Sequence, residues 1–94
     1  MADEVFAALA DPTRRSIVQT LAQRGPATAT TLAAEMPITR QAVAKHLTTL
    51  QRAALVDSRR QGRETQYRLT TQGLAEGIRW LEGVCTQVSE RAAA

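Results

Sequence analysis

The sequence predicts a mainly α-helical fold with one small β-hairpin, and three observations indicate it. Apolar residues recur three and four positions apart along most of the 94-residue chain, which is typical of helices with one buried face. Prolines and glycines divide these stretches into about five helices. Residues 56–69 do not follow this spacing: their side chains alternate between two sides, as in extended strands, and a glycine lies between the two halves, which predicts a hairpin. Residues 26–29 could add a third strand to the edge of this hairpin.

Two helices are predicted before residue 26. The first spans residues 3–10, and its apolar side is made of Val5, Phe6 and Leu9. The second begins at Asp11 and Pro12, because an aspartate side chain caps free backbone N–H groups and proline is tolerated in a first helical turn. Gly25 followed by Pro26 ends it.

Residues 30–53 are predicted to form two helices separated by Pro37, because helix interiors reject proline. Thr30 and Thr39 are the expected N-caps. One face of the second helix is apolar, with Val43, Leu47 and Leu50 spaced four and three residues apart. The opposite side is polar and can hydrogen-bond to base edges and phosphates; it carries Gln41, Lys45, Thr48 and Arg52, with Arg40 on its flank. This pattern is typical of a helix-turn-helix with an exposed recognition helix.

A hairpin directly after a helix-turn-helix is a wing, so residues 56–69 complete a predicted winged helix-turn-helix with a two- or three-stranded wing sheet. The turn is expected at Gly62, and the tip carries Arg59, Arg60 and Arg63. The last helix, residues 71–90, starts from a hydroxyl cap at Thr70-Thr71. It carries a single apolar stripe of Leu74, Ile78, Leu81, Cys85 and Val88, with Trp80 beside it. This stripe either caps the core of one chain or pairs two chains, and the length of the helix favours pairing.

The charge is unevenly placed. Residues 40–68 hold seven basic and two acidic residues, a net +5, whereas the rest of the chain holds five basic and seven acidic residues, a net −2. Such segregation favours a polyanionic partner. Eleven of the twelve basic residues are arginine, which suits bidentate contacts to phosphate and guanine. A GC-rich genome would also favour arginine over lysine, but it would not gather the charge in one segment.

Enzymatic function is poorly supported, because the chain has no glycine-rich phosphate loop, no nucleophile with a recognisable base and one histidine, His46. His46 is expected to pack at the flank of the core. Arg14 and Arg15 are expected to pair with nearby acids such as Asp11. No apolar run approaches membrane-spanning length, and the acidic start is unlike a secretion signal, so a cytoplasmic location and a single domain, 1–94, are expected.

Several runs of residues also occur in the order found in a known family. They are ALADPTRR at 8–15 with Ile17 and Leu21, AVAKHL at 42–47 with Leu50, LV at 55–56, and RRQGR at 59–63 with Tyr67 and Leu69. This ordered set resembles the ArsR/SmtB family of bacterial winged-helix repressors over residues 5–81. The resemblance implies a homodimer that represses transcription, its own included, from a short inverted repeat. The first and last helices would pair through Val5, Phe6, Leu9, Leu74, Ile78, Trp80, Leu81, Cys85 and Val88.

Many members of that family release DNA when they bind a metal, but this chain lacks the metal-binding side chains at the corresponding positions. Their thiolate-bearing stretch would fall on residues 28–32, where threonines stand, and threonine hydroxyls cannot replace thiolates. The last helix has no histidine, and Cys85 is the only cysteine. No metal and no cofactor are therefore expected.

The sequence thus predicts a repressor that binds double-stranded DNA. Base contacts are assigned to Arg40, Gln41, Lys45 and Thr48, and phosphate contacts to Thr39, Arg52, Arg59, Arg60 and Arg63. The alternative is a winged-helix module that binds protein. That alternative predicts an uncharged or apolar recognition face, which the +5 segment disfavours.

Overall fold

The structure is a computed structural model that describes residues 2–93, so the two ends of the predicted domain, 1 and 94, lie outside it. Within that range five helices and one hairpin follow one another, and the predicted fold class is confirmed. The elements are α1 (Ala2–Leu9), α2 (Pro12–Arg24), α3 (Ala29–Ala34), α4 (Arg40–Arg52), β1 (Val56–Gln61), β2 (Glu64–Leu69) and α5 (Thr71–Ala93).

The N-caps of α2 and α4 are those that the sequence predicts. The Asp11 carboxylate accepts the backbone N–H of Arg14 at 2.9 Å, and Thr39 Oγ1 accepts that of Ala42 at 3.1 Å. The predicted cap of α3 was wrong, since Thr28 rather than Thr30 caps it and accepts the backbone N–H of Thr31 at 3.0 Å. The reason is tertiary: Ala27 is paired with the wing, so the chain turns into the helix directly after it.

One apolar core joins the first four helices to the base of the wing. Its buried members include Ile17, Leu32 and the three residues of the predicted α4 stripe, Val43, Leu47 and Leu50. Because that stripe is fully buried, the opposite face of α4 must point to solvent.

The wing is an antiparallel pair whose register runs from Val56 opposite Leu69 to Gln61 opposite Glu64. The two-residue turn contains Gly62 at φ +62°, a backbone conformation that glycine adopts without strain. The third strand shrinks to one residue pair: Ala27 N–H donates to the Tyr67 carbonyl at 2.9 Å, and Tyr67 N–H donates to the Ala27 carbonyl at 2.8 Å.

The base of α5 is locked to the end of α4. Ala54 has φ +57°, and its carbonyl accepts the Thr70 hydroxyl at 2.7 Å and the Gly73 N–H at 2.9 Å. The prediction that a threonine hydroxyl caps α5 was wrong for Thr70, because the Gly73 N–H that such a cap would accept donates to the Ala54 carbonyl instead. A Cβ on Gly73 would lie 2.5 Å from the Ala53 carbonyl oxygen, so only glycine fits.

Beyond its base, α5 leaves the body of the molecule. Gly77 is buried against Val5 and Phe6 of α1, and the Phe6 ring meets Trp80 edge-on with centroids 5.4 Å apart. Every residue from 78 to 93 is exposed. We call residues 78–93 the outer segment of α5. None of the described helices is both long and apolar enough to cross a membrane.

Candidate nucleic-acid interface

The exposed face of α4 carries all the side chains assigned to base contacts. Gln41, Lys45, Thr48 and Arg52 are exposed opposite the buried stripe, and Arg40 is exposed on the flank of that face at the start of the helix. Together with Arg60 and Arg63 of the wing, these five residues are called the recognition surface below. Thr48 Oγ1 donates to the Ala44 carbonyl at 3.1 Å, so its hydrogen is used within the helix and its methyl group and lone pairs stay available.

Thr39 and Arg52 stand at the two ends of the same helix. The Thr39 oxygen is used as the cap, which fixes the side chain and leaves its hydrogen free for an outside acceptor. Arg52 is exposed in the last turn. The end of α4 is also tied to the wing, because Gln51 Nε2 donates to Ser58 Oγ at 3.1 Å.

The three wing arginines do not share one face. In the ladder Arg60 is opposite Thr65, whereas Arg59 is opposite Gln66, so these two arginines point to opposite sides of the hairpin. Arg60 and Arg63 face α4, and Arg60 Nε is held across the turn by the Gly62 carbonyl at 3.1 Å. Arg59 lines a second groove on the far side of the wing, away from the recognition surface.

A cleft of about 350 Å³ separates the wing from α4 and the start of α3; we call it the wing cleft. Its cationic lining is Arg40, Arg60 and Arg63. Its lining also includes polar residues that sequence reasoning missed, namely Thr30, Glu64, Thr65 and Tyr67. The alternation of β2 contained the signal for two of them, because Thr65 and Tyr67 fall on the same side of the hairpin as Arg60.

The charge of the wing is partly neutralised. Arg68 Nε donates to the Asp57 carboxylate at 2.8 Å across the ladder, and this hydrogen bond raises the pKa of Arg68 above its ordinary value. This pair takes one cation and one anion out of the segment, so its net charge stays at +5 and the charge that is free to meet a partner lies on the six other basic residues. Arg60 and Arg63, by contrast, form no ion pair with any described residue.

Arg14 interacts electrostatically with Asp11, but the ion pairs that the sequence predicts are not formed: neither Arg14 nor Arg15 forms one with an acid within the described residues. Arg14 Nε donates to the Ala8 carbonyl at 2.6 Å, and Arg15 Nη1 donates to the Leu9 carbonyl at 2.8 Å, so both satisfy the free carbonyls at the end of α1. The Asp11 carboxylate accepts the backbone N–H of Arg14 instead, and this hydrogen bond holds the pKa of Asp11 below its ordinary value.

His46 is half-buried, and its Nδ1 lies 3.5 Å from Arg14 Nη1. An arginine can only donate, so this contact requires His46 Nδ1 to be the acceptor. His46 thus lies beside the core and toward α2, away from the recognition surface.

The residues assigned to a dimer interface divide into two groups. Val5 is only 1% exposed and belongs to the core of the single chain, which corrects its assignment; Phe6, Leu9 and Leu74 are half-buried. The others lie on the outer segment of α5 with about half of each apolar side chain exposed, for example Leu81 at 50%. They are Ile78, Trp80, Leu81, Val88 and the exposed Cys85.

The residues present do not fit the metal sites of metal-sensing winged helices. Thr28 and Thr31, in the position of the thiolates, hydrogen-bond to each other at 3.0 Å. Across residues 2–93 no three side chains of histidine, cysteine, aspartate or glutamate come together as a metal ligand set.

Comparisons with known proteins agree with this geometry. A helix-turn-helix domain family matches residues 9–59. The chain is 45% identical over 73 residues to the HTH-type transcriptional regulator Rv2034 of Mycobacterium tuberculosis, covering 78% of this chain and 67% of that protein. It is 34% identical over 79 residues to the transcriptional repressor SdpR of Bacillus subtilis, covering 84% and 87%.

Two solved structures are also similar. An ArsR-like transcriptional regulator from Rhodococcus sp. RHA1 superposes with a TM-score of 0.86 at 40% identity, covering 98% of this chain and 86% of that one. The homodimeric winged helix-turn-helix DNA-binding domain of a Mycobacterium bovis protein superposes with a TM-score of 0.71 at 26% identity, covering 90% and 78%.

Proposed function

Because the chain belongs to the ArsR family of winged helix-turn-helix transcriptional regulators, we propose that it is a repressor that binds an inverted-repeat operator in double-stranded DNA as a homodimer. The observation that carries the proposal is the division of α4 into two faces. Val43, Leu47 and Leu50 are completely buried, while every polar side chain of the opposite face is exposed beside a cationic wing.

Each side chain of the recognition surface has a role that its chemistry suits. Gln41 can pair with adenine, Lys45 and Arg40 with guanine, and Thr48 can place its methyl group against that of thymine. Phosphates are contacted by Thr39 and Arg52 at the ends of α4 and by Arg60 and Arg63 of the wing, whereas Arg59 lies on the far side of the hairpin and is no longer assigned such a contact. Base contacts then determine the sequence bound, and phosphate contacts supply most of the sequence-independent affinity.

Dimerisation is supported by the outer segment of α5. Its apolar residues follow Leu74 at spacings of four, three, four and three, the repeat of a helix that pairs with another helix. The stripe is exposed in the single chain, and the similar domain from Mycobacterium bovis is described as homodimeric. A twofold pair would place two recognition helices in successive major grooves about 34 Å apart.

Repression follows from occupancy, because a dimer seated on an operator excludes polymerase. The similar protein SdpR is a repressor, and autoregulation is the simplest arrangement for such a regulator. Metal ions are not part of the proposed switch, since the threonines of α3 are hydrogen-bonded to each other and offer no soft ligands.

The test is selection of bound duplexes from a random pool, followed by affinity measurement on the recovered site. The expected motif is an inverted repeat whose half-sites are about 10–10.5 base pairs apart, centre to centre. Lys45→Ala should cost about 1–3 kcal/mol on that site and relax its sequence preference. A pool that yields no enriched duplex would contradict the proposal and favour a protein-binding module.

Arg63→Ala tests whether Arg63 contacts phosphates, as proposed, or bases. It should weaken binding to the selected site and to random duplex alike. It should also reduce the slope of the logarithm of the binding constant against the logarithm of the salt concentration by about one unit. Arg91→Ala is the matched control, because it removes the same charge from an exposed position at the far end of α5. A loss confined to the selected site would mean that Arg63 reads bases.

A further inference from the structure

The wing cleft gathers hydrogen-bond donors, most of which have no partner within residues 2–93; the exception is Arg60 Nε, which donates to the Gly62 carbonyl. Three arginines, Arg40, Arg60 and Arg63, line it with guanidinium groups that form no ion pair with another described residue. Thr30, Thr65 and Tyr67 line it too, and none of their three hydroxyls forms a hydrogen bond within residues 2–93. Such a set of free donors suits an acceptor that carries negative charge on several oxygens.

The position of the cleft indicates which acceptor this is. The major and minor grooves of a duplex are separated by a single sugar–phosphate strand. A recognition helix in one groove and a wing tip in the next must therefore straddle that strand. The wing cleft is the space between these two elements. We infer that it binds the DNA backbone, with the hydroxyls of Tyr67 and Thr30 donating to phosphate oxygens beside the arginines.

Tyr67 is placed to make this contact rigid. Its backbone exchanges two hydrogen bonds with Ala27, the residue before the cap of α3, so the tyrosine is fixed where the wing meets the helix-turn-helix. A phosphate held there contacts the wing, α3 and α4 at the same time. Tyr67 is thus a DNA-contacting residue that also positions the wing against the recognition helix, and its role rests on the proposed function.

Glu64 has the opposite effect in the same cleft. It lines the cleft next to the turn and forms no ion pair with any of the described arginines. Its carboxylate therefore repels an incoming phosphate, and this lowers the affinity for every duplex by a similar factor.

Removing single hydroxyls tests the donors. Tyr67→Phe and Thr30→Val should each weaken binding about 3- to 10-fold, as expected for one lost hydrogen bond to a charged acceptor. The loss should be equal on the selected operator and on random duplex, measured by fluorescence anisotropy. Thermal unfolding should be unchanged, since neither hydroxyl has a partner among residues 2–93. Thr86→Val, on the side of α5 opposite the apolar stripe, is the matched control.

Removing the acid tests the repulsion. Glu64→Gln should tighten binding to random duplex about threefold at low salt, the scale of one exposed charge interaction, and raised salt should shrink the gain. Glu90→Gln makes the same charge change at an exposed position far from the cleft and should leave binding unchanged. Equal effects of the two variants would mean that only net charge acts, and would overturn the role of Glu64.

The outcomes separate this inference from the proposed function. If the unaltered chain binds no duplex, both are overturned. If it binds and Lys45→Ala acts as described, but Tyr67→Phe and Thr30→Val bind like the unaltered chain, only the cleft assignment is overturned. Release of DNA by millimolar inorganic phosphate, at ionic strength matched with chloride, would instead assign the cleft to a small free anion.

Discussion

Two exposed regions of this molecule, the recognition surface and the outer segment of α5, differ in almost every chemical respect. The recognition surface is cationic and rich in hydrogen-bond donors, and it rests on a helix whose other face is fully buried. The outer segment presents a row of exposed apolar side chains, and only Trp80 near its start is described in a ring contact, with Phe6 of α1. Exposure is common to both, so it is the chemistry of the exposed atoms that distinguishes their partners.

This difference predicts opposite responses to salt. Phosphate contacts release counterions, so binding through the recognition surface weakens steeply as salt rises. Apolar contacts between two copies of α5 depend on removing hydrocarbon from water, and salt at the same concentrations does not weaken them. Single exposed apolar residues are ordinary, but a row at heptad spacing on a helix without other support indicates a partner of the same character.

The largest expected effect comes from placing a charge in the apolar row. Leu81→Glu would bury two carboxylates in a twofold interface, and an unpaired buried charge costs several kcal/mol, so dimer dissociation should rise at least about 100-fold. The operator affinity should fall with it, while affinity for an isolated half-site stays near that of one unaltered subunit. Sedimentation and anisotropy on full and half operators measure both quantities.

Thr86→Glu is the control for that variant, because it adds the same charge on the opposite side of the same helix. It should remain dimeric and bind the operator with little change. A dimeric Leu81→Glu protein would mean that the apolar row faces something other than a second copy of the chain.

Substitutions at two glycines of α5 test the difference between its packed base and its exposed outer segment. Gly73→Ala forces a Cβ to within 2.5 Å of the Ala53 carbonyl oxygen, so it should destabilise the fold by about 1–3 kcal/mol or more. Gly83→Ala meets no atom within 4 Å and should stabilise by about 0.5–1 kcal/mol through helix propensity. Urea unfolding measures the change in the free energy of unfolding for each variant. Changes of the same sign in both variants would contradict this division of the helix.

Much of the fold could be predicted because its determinants are local. The proline break before Thr39, the cap at Asp11, the turn at Gly62 and the α4 stripe all depend on residues within a few positions of one another. The errors arose where a distant carbonyl competed for a donor. Arg14 and Thr70 each donate to a carbonyl of another element, which no spacing rule reveals.

The candidate site was predictable in composition but not in arrangement. Counting basic residues located the surface, yet only the ladder register reveals that Arg59 and Arg60 point to opposite sides of the wing. The same register pairs Arg68 with Asp57. Tyr67 and Thr30 escaped notice because one belongs to the wing and the other to α3, and only the packed structure brings both to one cleft.

The smallest expected effect tests whether an arginine of the wing that is paired with a carboxylate differs from one that is not. Arg68→Ala removes a guanidinium that Asp57 already holds at 2.8 Å and that is therefore not placed on a phosphate, so DNA affinity should fall by less than about twofold. Arg63→Ala, with no such partner, should lose several-fold under the same conditions. Asp57→Asn should act in the other direction, because the released Arg68 can then turn toward phosphate. If Arg68→Ala and Arg63→Ala weakened binding equally at low salt, summed charge rather than the pairing across the ladder would govern the wing.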